Sequence, residues 1–201
     1  MRVPPGRAGR LWLLRRLEVA ERGTEVLEQK RQTLLRERQR TASALAAAAA
    51  VWEDQGRSAA EWNDRALALA GARRLRLAAL HGAGSAKASV TWRNALGTMV
   101  PDSVQVEFTA EKGAVSSGGG AGVALCADAH RNALGAAAAF AAARAADEAV
   151  AAELVATTRR LRAIERRWIP EHESALRQLE LTLAEHELED AARARFALER
   201  R

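Results

Sequence analysis

The sequence is poor in the residues from which compact cores and covalent scaffolds are built. Cys126 is its only cysteine, so no intrachain disulfide can form and a disulfide-stapled secreted fold is excluded. Aromatic residues make up 4% of the chain, and much of its 48% hydrophobic content is alanine. That is little bulk for an ordinary globular core of this length and suits long paired helices better. Proline is absent between Pro5 and Pro101, so nothing in that stretch forbids one long helix. No apolar run approaches the roughly 20 residues that span a bilayer; the alanine-rich stretches 42–51 and 136–143 are shorter and weakly apolar. Arg2, Arg7 and Arg10 precede an apolar run, 11–14, that is too brief for a signal-peptide core, and Arg15 and Arg16 follow it at once. These absences predict a cytoplasmic, soluble chain.

Lysine is also scarce, with only Lys30, Lys87 and Lys112, so the net charge of +6 and the isoelectric point near 10.7 are owed to arginine. Such a balance raises the question of a nucleic-acid partner. The joint excess of arginine and alanine matches the bias of GC-rich coding, and Arg15, Arg16 and Arg22 alternate with Glu18, Glu21 and Glu25. A solvated, ion-paired helix face explains the charge better than a phosphate-binding stripe.

What is present is periodic. Leu13, Leu17, Ala20, Thr24, Leu27, Arg31, Leu34, Arg38, Thr41, Leu45, Ala48 and Trp52 recur at alternating steps of four and three, the 3.5-residue period of a left-handed coiled coil. Arg31 and Arg38 interrupt the apolar seam. Alanines after Ala42 let a partner backbone approach, Gly56 is a place where the helix can loosen, and the pattern resumes over 61–80. Some seventy helical residues would reach on the order of 100 Å. A second seam runs Val150, Leu154, Thr157, Leu161, Ile164, Trp168 and, beyond Pro170, Leu176, Leu179, Leu183 and His186. The steps of four from Trp168 to His172 to Leu176 form a stutter, and Pro170 removes a helical hydrogen bond at the same place. Together they predict a bend at Ile169 and Pro170.

Between the seams the composition changes. Residues 90–92 and 104–108 are short runs of strand formers, the second alternating. The segment NALGTMVP (94–101) holds the turn former Gly97 and Pro101, a residue excluded from central strands. The expectation is an antiparallel hairpin lying against the helix ends or a partner, since an isolated hairpin is marginal in water. SSGGGAG (116–122) reads as a flexible return, because it lacks the Lys-Ser/Thr of a P-loop and follows no buried strand.

The predicted fold is therefore all-α: a long antiparallel two-helix coiled coil with a small β-hairpin head inserted in the middle. Residues 1–81 form the N-terminal helix, 82–122 the loop and head, and 123–201 the C-terminal helix with its bend near 169–170. No chemistry accompanies it. His81, His130, His172 and His186 stand at no metal-ligand spacing from one another or from Cys126, the carboxylates are dispersed among arginines, and Ser116 and Ser117 have no nearby base. Trp52, Trp62, Trp92 and Trp168 read as packing residues. No catalytic, cofactor-binding or metal residue is assigned.

Three segments then carry a resemblance. PPGRAGRLWLLRRLEVAERGTEVLEQKRQTL (4–34), NALGTMVP (94–101) and TTRRLRAIERRWIP (157–170) occur in the order found in the D subunit of the V-type/A-type ATPases, and the chain resembles that family over nearly its whole length. Arg162 stands where the family usually has asparagine. The resemblance implies a single-copy, non-catalytic central rotor shaft inside a ring of catalytic A and non-catalytic B subunits. Such a shaft couples ATP hydrolysis or synthesis to proton or sodium transport, at the cytoplasmic face of a membrane complex and without inserting into the bilayer.

The resemblance also implies where contacts fall. Both termini point into the ring, making Arg7, Arg10, Leu11, Arg15, Arg22, Lys30 and Arg31 candidates for ring contact, with Leu183 and His186 on the returning helix. The head faces the small F subunit of the rotor and the funnel-shaped cap of the membrane rotor, through Trp92, Asn94, Gly97, Val100, Pro101, Glu107 and Phe108. Two other readings remain open from the residues alone: a basic coiled coil that binds nucleic acid, and a homodimeric scaffold.

Overall fold

A computed structural model describes residues 3–82, 85–109 and 120–199. In chain order the elements are α1 (Gly6–Gly82), β1 (Ala86–Ala95), β2 (Thr98–Phe108), α2 (Gly120–Ala163), a π-helical turn (Ile164–Trp168) and α3 (Ile169–Glu199). The fold is mostly helical, two long helices packing together with one two-stranded antiparallel hairpin between them in sequence. The chain divides into two compact units, a terminal one of Met1–Thr33 with Leu154–Arg201 and a central one of Leu34–Glu153.

In the terminal unit the start of α1 runs antiparallel to the end of the chain. Arg16 lies over Trp168, Arg10 pairs with Glu180 at 2.8 Å and Arg7 with Glu187 at 3.0 Å, partners falling along one helix as they rise along the other. The seam residues Leu13, Leu17, Thr157 and Leu161 are buried, and Leu27, Ile164 and Trp168 half-buried. Each buried leucine contributes about 1.5–3 kcal/mol relative to an exposed one, whereas ion pairs as exposed as Arg7–Glu187 contribute little. The leucine seam holds this unit and the ion pairs trim it. Its helices begin in close quarters: a Cβ on Gly9 would stand 1.9 Å from the Pro4 carbonyl oxygen and 3.2 Å from Leu179 Cδ2, so only glycine fits there.

Pro170 does not break the helix. The disturbance falls in the five residues before it, where the Ile169 N–H donates to the Ile164 carbonyl, five residues back instead of four. Widening the turn keeps the backbone bonded where the proline ring would collide with the carbonyl four residues earlier. It also absorbs the extra residue of the stutter: Trp168 stays half-buried, His172 is buried, and Leu176, Leu179 and Leu183 remain half-buried. The seam ends there. His186, expected as its next member, is exposed, because the first turn of α1 meets this part of α3 through the exposed Arg7–Glu187 pair and not through an apolar side chain.

In the central unit α1 and α2 again run antiparallel. Gly122 meets Leu69, Trp52 stacks on Phe140 with ring centres 4.8 Å apart, and Thr41 meets Asp147. Leu34, Ala59, Ala66, Ala129, Ala146 and Val150 are buried, so alanine lets the backbones close and the apolar area per residue is small. The polar interruptions of the seam find partners. Thr41 Oγ1 donates to Asp147 Oδ1 at 2.9 Å and Arg38 is ion-paired to the same carboxylate; in the terminal unit Arg31 makes two 2.7 Å hydrogen bonds to Glu28. Helix α1 passes Gly56 unbroken; its one non-helical residue is Gly71 (φ 77°, ψ 155°), where the axis kinks. One glycine does not open the helix there, where Gly56 and Gln55 are half-buried and Ala59 is buried.

The hairpin strands are longer than expected, and most of 94–101 belongs to them. The turn is only Leu96 and Gly97, both at positive φ (55° and 92°), the two-residue geometry whose twist matches the strands. Asn94 Oδ1 accepts the Gly97 N–H at 2.7 Å. Pro101 lies inside β2 opposite Trp92, and Thr91 pairs with Ser103, leaving Asp102 as the extra residue of a bulge. A two-stranded ribbon has free edges, so a proline is tolerated there. The hairpin packs along the middle of the helices instead of their ends. Ala95 and Val100 are buried, Arg93 is ion-paired to Glu37 and, at 3.2 Å, to Asp102, and Val104 lies beside residues of both helices. Of SSGGGAG, residues 116–119 lie outside the described residues and 120–122 open α2.

Two outcomes are expected. Asp147→Ala leaves the buried Thr41 hydroxyl only its bond to the Arg38 carbonyl oxygen and unpairs the Arg38 guanidinium, and should cost about 2 kcal/mol in chemical denaturation; a wild-type midpoint would mean the network contributes nothing. Pro170→Ala should return the π turn to α-helix and straighten the segment. The distance between spin labels at positions 162 and 177 should then shift on the order of 1.5 Å, one residue's rise, and an unchanged distance would mean the proline does not cause it.

Candidate interaction surfaces

No constellation for bond-breaking chemistry is found among the described residues of either unit. No three of their His, Cys, Asp or Glu side chains come together to hold a metal ion. His130 Nδ1 lies 2.9 Å from the Cys126 carbonyl oxygen and 3.6 Å from its sulfur. That pair is not an activated nucleophile, because burial pushes the Cys126 thiol up and keeps it protonated. His172 is stacked on Trp168 at 3.6 Å and its Nδ1 lies 2.8 Å from the Trp168 carbonyl oxygen, a packing role. What the chain offers is surface.

Several arginines are neutralised along their own helix. Arg31, Arg65, Arg131 and Arg144 pair with carboxylates three or four residues away, the spacing that makes helix neighbours. At the Glu28–Arg31 pair the guanidinium's hydrogen bonds hold the glutamate below the usual carboxylate range. The end of α2 and the π turn, like Arg73, Arg74 and Arg76 of α1, are not paired in this way. Arg159, Arg160, Arg162, Arg166 and Arg167 are all exposed, and none pairs with a carboxylate among the described residues. Their seam neighbours Thr157, Leu161 and Ile164 face inward, so helical geometry turns the five guanidiniums to solvent as a positive belt on the terminal unit.

Beside the belt lies an apolar groove of about 810 Å³ whose lining includes Leu11, Trp12, Arg15, Arg16, Val19 and Trp168. Trp12 and this groove have no precursor in the seam pattern, which covers only inward positions; a second stripe, Ala8, Leu11, Arg15 and Val19, does follow helical spacing on α1. In the central unit the hairpin presents Trp92, Met99 and Phe108 to solvent.

The candidate contact residues separate by environment. Leu11 and Arg15 line the groove and are exposed. Arg7 and Arg10 are engaged across the helix pair, and Arg22 and Arg31 along α1 with Glu18 and Glu28. Lys30 and Leu183 are half-buried, and His186 sits 4.0 Å from Glu189. In the hairpin, Asn94 and Gly97 build the turn, Val100 is fully buried and Pro101 half-buried, while Trp92, Glu107 and Phe108 are exposed. Arg93, Glu37 and Asp147, the polar anchors of the central unit, carry no local sequence signal; only their partners across the fold distinguish them.

Among the described residues no helix is long and apolar enough to cross a membrane. No curated protein matches the chain. The profile of one protein family, that of the ATP synthase D subunit, matches residues 11–199, a span that takes in most of the groove and all of the hairpin, the arginine belt and the π turn. The chain belongs to the ATP synthase D-subunit family, the non-catalytic stalk subunits of that complex.

Proposed function

We propose that this chain is the central rotor shaft of a V/A-type ATPase, passing torque between the ring of A and B subunits and the membrane ion-translocating rotor. The family match over residues 11–199 carries the reading. Residues 1–81 and 123–201 form the shaft and 82–122 the head, with a bend near 169–170. A single asymmetric shaft turns a different face to each of three catalytic interfaces. Each face stabilises a different conformation of the nucleotide site, and rotation exchanges those populations. The nucleotide chemistry belongs to the ring.

The arginine belt supports this reading. Five guanidiniums without carboxylate partners among the described residues attract acidic surface over about a Debye length without the geometric lock of a buried pair, which suits contacts that must form and release as the shaft turns. Leu11 and Arg15 are the ring-contact candidates left free for it, while Arg7, Arg10, Arg22 and Arg31 act within the chain. On the hairpin, Trp92, Glu107 and Phe108 are the surface offered to the F subunit and the rotor cap. The chain then works at the cytoplasmic face of the membrane, peripheral to it.

Mild-detergent isolation of the tagged chain from its host is the test. One copy with three each of two large nucleotide-binding subunits is expected; recovery of the chain alone, paired with itself, or with nucleic acid would overturn the assignment. Within the complex, Glu107→Lys should weaken binding of the F subunit about tenfold, as loss of a rim contact with added repulsion does, and leave ring binding unchanged. Equal loss at both would reverse the orientation.

A further inference from the structure

We propose that Gly71 is a joint in α1, about which residues 72–80 swing as a basic arm while the helix pair behind it stays packed. The inference is independent of the rotor reading. Gly71 has φ 77° and ψ 155°, a backbone region that essentially only glycine enters. Space is not why glycine stands there, because a Cβ on Gly71 would meet nothing within 4 Å. Nor does a proline force the kink, since α1 contains none. What Gly71 contributes is its backbone freedom.

The neighbouring residues supply the second conformation. From Arg65 to Leu80 every residue except Gly71 is alanine, leucine or arginine, all strong helix formers. A straight helix through this stretch is therefore open to the chain, and glycine favours it weakly enough for the kink to compete. Gly56 gives the contrast within the same helix. Its Cβ position is equally open, yet it stays helical, half-buried beside the buried Ala59.

The joint falls where the packing stops. Before it, Ala59 and Ala66 of α1 and Val123, Cys126 and Ala129 of α2 are buried, and a Cβ on Gly122 would stand 3.2 Å from Leu69 Cδ1. The two helices run antiparallel, so Gly120, the first residue of α2, is level with Gly71. Beyond it, residues 72–80 are exposed except for Leu75 and Ala78, which are half-buried. Arg73, Arg74 and Arg76 pair with no carboxylate among the described residues, and the sequence has no Asp or Glu between Asp64 and Asp102. No ion pair among the described residues ties these guanidiniums to the helix pair, so a bend at Gly71 redirects all three without unpacking the seam.

Spin labels at the exposed positions 57 and 79 of the full chain, in a Cys126→Ala background, read the joint. A straight helix puts them about 33 Å apart. The wild type should show two populations, one at that distance and one several ångströms shorter. Gly71→Ala, to which the kinked φ is closed, should shift the balance about tenfold or more toward the straight form. Gly56→Ala should leave the distribution as in the wild type. Amide exchange at residues 72–75, whose helical bonds span Gly71, should slow about tenfold in Gly71→Ala. A single narrow wild-type distance, straight or bent, would overturn the joint, as would an unchanged distribution in Gly71→Ala or an equal response to Gly56→Ala.

Discussion

Everything in this fold depends on burying a narrow apolar stripe between two antiparallel helices with almost no bulky residues to do it. Leu13, Leu17, Leu34, Val150 and Leu161 are the large side chains that go under; most of the remaining contact is alanine. Each leucine is worth a few kcal/mol on burial, and ordering each residue of a helix costs about 1–2 kcal/mol of backbone entropy. With margins so thin, close backbone approach matters as much as side-chain volume. That is why Ala59, Ala66, Ala129 and Ala146 are buried, and why Gly9 sits where any Cβ would collide with Pro4.

Thin apolar seams specify register weakly, since one alanine resembles the next. The polar members of the seam supply what the alanines cannot. Asp147, buried, receives the Thr41 hydroxyl and the Arg38 guanidinium, and a shift of one turn would leave a buried carboxylate unpaired at a cost well above a typical net hydrogen bond. The π turn does the same work along the other helix. It takes up the surplus residue ahead of Pro170, so that Trp168 and His172 both reach the interior side.

The same geometry determines which residues remain for partners. Once Thr157, Leu161 and Ile164 turn inward, Arg159, Arg160, Arg162, Arg166 and Arg167 must turn outward, with no described carboxylate of their own helix at pairing distance. The hairpin is divided likewise: Val100, Ala95 and Arg93 are used to hold it on the helices, and Trp92, Met99 and Phe108 are left over. A chain of this family, with so little interior, displays its function on what the packing does not consume.

Heptad spacing was enough to identify both seams, matched helix lengths their antiparallel partnership, and strand and turn residues the hairpin between them, because helical period and turn chemistry are local properties. Local signals also marked the neighbourhood of Pro170 and the turn at Gly97. Other features depended on contacts between distant residues. Strand pairing extended β1 back to Ala86 and β2 back to Thr98, and carried Pro101 into β2 at a bulge. Packing kept α1 straight through Gly56 and the kink arose at Gly71. The Arg93–Glu37 and Thr41–Asp147 anchors join residues 56 and 106 positions apart, and no window of sequence holds both halves of either. The apolar groove likewise needs Trp12 and Trp168 side by side. Periodicity decides which face of a helix is buried; only the folded chain decides what that face meets.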